Sequence, residues 1–196
     1  MAIRFKAEMM CLAILILFFP RPPLSAQNPA TTNGYILSYS GDTTFGFVRP
    51  GNQFKNQRRI DFTDLLGVQT IYQSDRIAGY GYEDQHYESL PTPYHFAGLF
   101  SDSTLFLQRR IAGPASLYRY YKQHSAFTLQ KGPSYFELVK KPDGTFHEVS
   151  LAFKWKRVAW IFSDYPELAR EIEKGLYTPQ EMDKIVETYN RWYISR

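Results

Sequence analysis

Between Gly34 and Leu151 the chain is written in short runs of alternating apolar and polar residues broken by glycine, proline, asparagine and aspartate, the pattern of strands and turns. Residues 35–39 and 44–48 flank Ser40-Gly41-Asp42-Thr43, where glycine at the first central position suits a two-residue type II′ hairpin. In that register Ile36 faces Phe47 and Ser38 faces Phe45 on one side, and Tyr35, Leu37, Tyr39 and Val48 occupy the other. Both sides are partly apolar, so the hairpin is expected either to be covered twice or to carry an aromatic outer surface.

Further strand-like runs follow at 59–62, 68–72, 76–82 and 85–89, and no long helical pattern lies between them, which favours an antiparallel meander over βαβ units. Residues 91–103, with Pro91, Pro93 and Gly98, read as a longer surface connection. A second hairpin joins 105–110 to 116–122 around Ala112-Gly113-Pro114, a short run lies at 127–130, and a third hairpin joins 135–140 to 146–151 through Lys141-Pro142-Asp143-Gly144. Proline at the second turn position presets φ there, and Asp-Gly accepts the remaining turn geometry.

After residue 151 the apolar spacing changes to that of helices, predicted at 153–162, 165–174 and 179–193. Asp164 is placed to cap the second, with Glu167 three positions on, and Gly175 to stop it. Thr178, Pro179 and Glu181 form a capping box for the third, whose stripe of Met182, Ile185, Val186, Tyr189 and Tyr193 should pack on the sheet or on the second helix. Strands first and helices last define an α+β fold, with antiparallel hairpins over about 34–151 followed by two or three C-terminal helices over about 153–193. No repeat, low-complexity tract or second domain is visible, so 34–196 reads as one domain behind a polar lead-in at 27–33.

The N-terminal 26 residues follow another logic. Arg4 and Lys6, the apolar run 11–19, the prolines Pro20, Pro22 and Pro23, and Ala26 reproduce the three parts of a secretory signal peptide. A spanning helix needs about 20 apolar residues, so no lasting transmembrane anchor is expected. Cys11 opens the apolar run, whereas a lipid-bearing cysteine would follow it. Cleavage after Ala26 removes three basic residues and one acidic one, and the net charge falls from +4 to +2. That balance points to neither nucleic acid nor an anionic membrane surface. The single cysteine leaves with the signal, so the mature chain forms no disulfide and depends on a packed core.

Reactive constellations are sparse. His86, His95, His124 and His147 are scattered, without the helical i, i+4 spacing of a zinc site, and His147 and Glu148 on one strand point to opposite faces. No metal and no cofactor are therefore assigned. No Gly-x-Ser-x-Gly elbow occurs, and Gly79-Tyr80-Gly81 lacks the third glycine and the following helix of a phosphate loop, so it reads as a strand with two glycine positions. Glu83, Asp84 and Glu88 beside Tyr80, Tyr82 and Tyr87 leave open a glycosidase-like carboxylate pair. The chain has 15 tyrosines and 15 phenylalanines. Tyr80 with Tyr82, and Tyr118 with Tyr120, alternate on strands as an ordinary β-core would, or as an aromatic row for a glycan or a protein partner. The pairs Arg58-Arg59, Arg109-Arg110 and Lys140-Lys141 read as charges that keep strand ends in water.

Gly34-Tyr35-Ile36-Leu37, Ser40-Gly41-Asp42-Thr43 and Gly46-Phe47-Val48, then Tyr72 to Tyr82, Phe106-Leu107, Gly113, Leu117-Tyr118 and Tyr177 to Asn190, resemble a group of uncharacterised exported proteins of Bacteroidota. In that group similar modules stand alone or precede an outer-membrane β-barrel. The resemblance implies a periplasmic or cell-envelope location and carries no activity or site residues. The expectation is an envelope module that works through binding or assembly, with an envelope protein or glycan as partner. The alternatives are an envelope hydrolase with a carboxylate pair and a glycan-binding module.

Overall fold

The computed structural model describes residues 30–91, 104–121, 135–149 and 155–196. The predicted signal at 1–26, His95, His124, the run at 127–130 and most of the 91–103 connection lie outside the described residues.

The alternating segments form β1 (Thr32–Leu37), β2 (Thr43–Arg49), β3 (Arg59–Asp64), β4 (Gln69–Gln73), β5 (Gly79–Tyr82), β6 (Gln85–Pro91), β7 (Thr104–Ile111), β8 (Ser116–Tyr121), β9 (Tyr135–Lys140) and β10 (Phe146–Val149). A one-turn helix, α1 (Gln53–Asn56), interrupts them, and α2 (Trp155–Ile161), α3 (Pro166–Glu173) and α4 (Met182–Ser195) close the chain. The fold is α+β, as the order of strand and helix patterns predicts. All ten strands join one antiparallel sheet in the order β10-β9-β8-β7-β6-β5-β1-β2-β3-β4. The meander is broken once, where the chain leaves the edge strand β4 and returns to pair β5 with β1.

Two expectations about turns are corrected. The first hairpin pairs Tyr35 with Phe45 and Leu37 with Thr43, three residues away from the predicted register. Residues 38–42 form a wider loop, in which the Ser38 hydroxyl accepts from Asp42 N at 3.0 Å and Ser40 Oγ donates to the Asp42 carboxylate at 2.6 Å. These side chains satisfy loop backbone that a two-residue turn would have put in the ladder. Asp164 does not cap α3; its carboxylate is taken by Lys141 Nζ at 2.7 Å and the Tyr189 hydroxyl at 2.5 Å. Lys141 is accordingly buried, not a solubilising strand end, because a paired ammonium can leave water where an unpaired one cannot. Arg109 and Arg110 pair with Glu88 and Asp183. The Pro-Asp-Gly turn holds, with Gly144 at φ +85° and Lys141 N bonded to Thr145 O at 2.8 Å. At the start of α4 Glu181 accepts from Thr178 N at 2.9 Å, as a capping box requires, although the first turn, Pro179–Glu181, is 3₁₀.

The core is divided. One cluster lies between the β8–β10 part of the sheet and the three C-terminal helices, where Leu117, Val139, Phe162, Ile172, Ile185, Val186 and Tyr189 are buried together. Each fully buried aliphatic side chain of this kind contributes about 1.5–3 kcal/mol of transfer free energy. Leu105, Leu107, Tyr118 and Leu138 form a smaller cluster, and a third joins Ile36, Val48, Ile60, Phe62, Tyr80, Tyr82, Tyr87 and Phe106. There the Tyr80 and Tyr87 rings stack at 4.6 Å, and their hydroxyls donate to Asn56 O and Gln53 Oε1, which holds α1 against the sheet. Gln57 follows α1 and sits between β7 and β8. Its carbonyl accepts from Phe106 N at 2.8 Å, while its side chain bonds both the N–H and the C=O of Tyr121. The β7–β8 ladder therefore stops where Gln57 enters, and β7 is shared by two partly separate half-sheets.

Candidate functional site

The sheet face opposite Tyr80 and Tyr87 carries Tyr35, Phe45, Phe47, His86, Glu88, Arg109 and Tyr118, since residues alternate across each strand and registers connect neighbours. Where β1, β2 and the β5–β6 turn meet, this face sinks into a shallow hollow of about 370 Å³ lined by Asn33, Tyr35, Phe45, Phe47, Gly81 and Glu83 among others. Glycine makes the hollow. A Cβ on Gly81 would stand 2.6 Å from Tyr35 Cε1, so only a bare backbone lets the tyrosine ring lie down across β5.

Tyr35 is held from both ends. Phe45 meets its ring edge-on with centroids 6.5 Å apart, and its hydroxyl lies 2.8 Å from His86 Nδ1. Burial raises the Tyr35 hydroxyl above its ordinary pKa, with Arg109 opposing that rise and Glu88 adding to it. Beside His86 the Glu88 carboxylate is bound by the Arg109 guanidinium and accepts from the Tyr118 hydroxyl at 2.5 Å. Burial, and then this bond to an anion, push the Tyr118 hydroxyl well above its usual range. The network fixes β6, β7 and β8 to one another behind the hollow.

At the rim Glu83 has φ +52°, the left-handed region that costs a non-glycine residue about 1–2 kcal/mol. It occupies the tight β5–β6 turn where asparagine or glycine would relieve the strain. Strained positions of this kind concentrate at binding and catalytic sites. Around the hollow the surface stays apolar: Phe45 is 64% exposed, Leu65 73% and Leu66 89%. Phe47, Val68 and Ile71 are also exposed.

The tyrosines singled out by sequence do not form one exposed row. Tyr80 and Tyr82 are buried on the α1 side and Tyr118 on the opposite face, and Tyr120 is half-buried and stacked on Phe136 at 6.4 Å. Alternation along a strand shows which side chains share a face but not which face is covered. Nor do the suspected carboxylates converge. Glu83 alone of the three lines the hollow, and Glu88 is spent on Arg109 and Tyr118. His147 Nε2 lies 3.1 Å from Thr145 Oγ1, its ring edge against Trp160. Among the described residues no group of three or more His, Cys, Asp or Glu side chains is placed to hold a metal ion.

Tyr35, Phe45 and Phe47 are the site residues that strand alternation alone does not mark. Their signal lay in the first hairpin, whose two partly apolar faces allowed an aromatic outer surface. No helix among the described residues is long and apolar enough to cross a membrane. No family model, curated protein or solved structure matches the chain.

Proposed function

We propose that this protein is an exported module of the periplasm or cell envelope that acts by binding or assembly rather than by catalysis, with the aromatic hollow on β1, β2 and β5 as its contact surface. The observation that carries this reading is the exposure of Phe45, Leu65 and Leu66 around a concavity floored by Gly81. A large apolar surface left in water marks a surface that a partner covers. The signal-peptide layout supports the location, and the dispersal of Glu83, Asp84 and Glu88 speaks against a carboxylate pair. An envelope protein with an apolar contact fits better than a glycan. Tyr35 and Phe45 stand edge to face at 62°, whereas a sugar ring stacks on a flat aromatic platform.

The test is capture from the native envelope with the wild type and with Phe45→Ala/Phe47→Ala as bait. A partner retained by the wild type and lost by the double variant, with unchanged circular dichroism, supports the reading. Turnover of an envelope glycan or peptide that disappears in Glu83→Gln overturns it in favour of a hydrolase, and glycan-array binding lost in the double variant favours the glycan module. Export is tested separately, by N-terminal sequencing of the protein from the periplasmic fraction, which should begin at Gln27.

A further inference from the structure

The two edges of the sheet are built differently. The β10 edge carries His147 and Glu148 and tucks Val149 into the helical cluster. The β4 edge reads Gln69-Thr70-Ile71-Tyr72-Gln73, without charge, proline or bulge, and Ile71 at its centre is 59% exposed. Proteins normally protect an edge of this kind with lysine, proline, a bulge or a covering segment, because its open backbone groups recruit another strand.

Hydrogen-bond parity says which groups are open. Asp64 N bonds Val68 O and Ser74 N bonds Arg58 O, so residues 68, 70, 72 and 74 turn their backbone toward β3. Gln69, Ile71 and Gln73 consequently turn theirs outward. Gln73 O accepts from Arg76 N at 3.0 Å, and the other five outward groups have no partner among the described residues.

We infer that β4 is a self-pairing edge, at which a second copy of this chain adds antiparallel about a two-fold axis through Ile71. In that register Ile71 of each copy bonds Ile71 of the other in both directions, and each Gln73 N–H meets Gln69 O of the second copy. Four of the five open groups are thereby used, the fifth, Gln69 N–H, faces the second lone pair of Gln73 O on the other copy, and the two exposed Ile71 side chains lie against each other on one face. No like charges meet. Asp75 falls opposite Gly67 and Arg76 opposite Leu66, so each charge near the strand end faces an uncharged residue of the second copy. A two-fold antiparallel pair presents the same strand to itself, which is why an uncharged, unprotected edge fits a second copy.

The experiment is sedimentation velocity on the purified protein between about 1 and about 100 µM, a range that resolves micromolar self-association. The wild type is expected to form a dimer. Ile71→Lys sets two like charges across the axis and should raise the dimer Kd about tenfold or more. Ile71→Pro removes only an outward N–H, which an edge strand tolerates, and should weaken the dimer similarly. In a Cys11→Ser background, oxidised Ile71→Cys should yield a disulfide-linked dimer and the exposed helix-end variant Leu176→Cys should not. A wild type that stays monomeric throughout, folded Ile71→Lys and Ile71→Pro variants that dimerise like the wild type, or equal cross-linking at both cysteines would overturn the proposal.

Discussion

Asn190 of α4 forms a two-point bridge to Ala115: its Nδ2 donates to Ala115 O at 2.8 Å, and Ala115 N donates to its Oδ1 at 2.7 Å. Ala115 precedes β8 and is fully buried, so the side chain acts as a short piece of neighbouring strand where the ladder has ended. Asn190→Ala leaves a buried donor and a buried acceptor without partners and should cost about 2–4 kcal/mol. Asn190→Asp keeps the acceptor but sets an oxygen against Ala115 O, and should be no milder. Urea unfolding monitored by circular dichroism measures both. A loss below about 1 kcal/mol would mean that water replaces the bridge.

Gln57 performs the same task at the other end of β8, bonding both backbone groups of Tyr121. The two bridges are six residues of strand apart, about 20 Å, and they draw on different elements, α1 and α4. Gln57→Ala should therefore cost about as much as Asn190→Ala, and the double variant should lose the sum of the two to within about 0.5 kcal/mol. A sub-additive double variant would show that β8 detaches as one unit once either end is released.

Much of this architecture was legible locally. Pro142, Asp143 and Gly144 contain within themselves the chemistry of the β9–β10 turn, and Thr178 with Glu181 that of the entry to α4. What escaped depends on partners distant in sequence. Nothing beside Lys141 shows that it will be buried, because its anion, Asp164, lies 23 residues on. The register of the first hairpin turns on hydrogen bonds of Ser38, Ser40 and Asp42 that compete with a glycine rule. The alternation of that hairpin allowed an aromatic outer face, but the three-residue change of register is what brings Tyr35 onto the side of Phe45 and Phe47, and Gly81 and Glu83 join them only through the pairing of β5 with β1. That pairing follows from a return across the sheet that no local pattern encodes.

Acid should weaken the joint between the helices and the β9–β10 hairpin. Burial pushes the Asp164 carboxyl up, but the bonds from Lys141 and Tyr189 outweigh it and hold the group below its ordinary value of 3.8. As pH falls the unfolded chain is therefore protonated first. The stability from this carboxylate is complete above the ordinary value and is lost as pH drops through the folded one. Asp164→Asn should be less stable than the wild type at neutral pH, and the gap should narrow as the solution is taken below about pH 4. Urea midpoints across that range provide the check, and a gap that stays constant would show that the charge of Asp164 contributes nothing.

Two glycines of β5 should answer differently to the same substitution. A Cβ on Gly79 would lie 2.4 Å from the Tyr87 carbonyl oxygen, a backbone atom held in the β5–β6 ladder, so Gly79→Ala must displace a strand. A Cβ on Gly81 meets only the far end of the Tyr35 side chain, 2.6–2.8 Å away, and that ring can swing aside. Gly81→Ala should thus cost about 1–2 kcal/mol and Gly79→Ala clearly more. The swing would pull the Tyr35 hydroxyl from His86, so Gly81→Ala and Tyr35→Phe should shift the His86 ring signals in NMR spectra alike, and Gly81→Ala should also abolish capture of any partner held in the hollow. Equal destabilisation by the two glycine variants, or an unmoved His86 signal, would show that Tyr35 does not depend on the bare backbone of Gly81 and that the hollow has another origin.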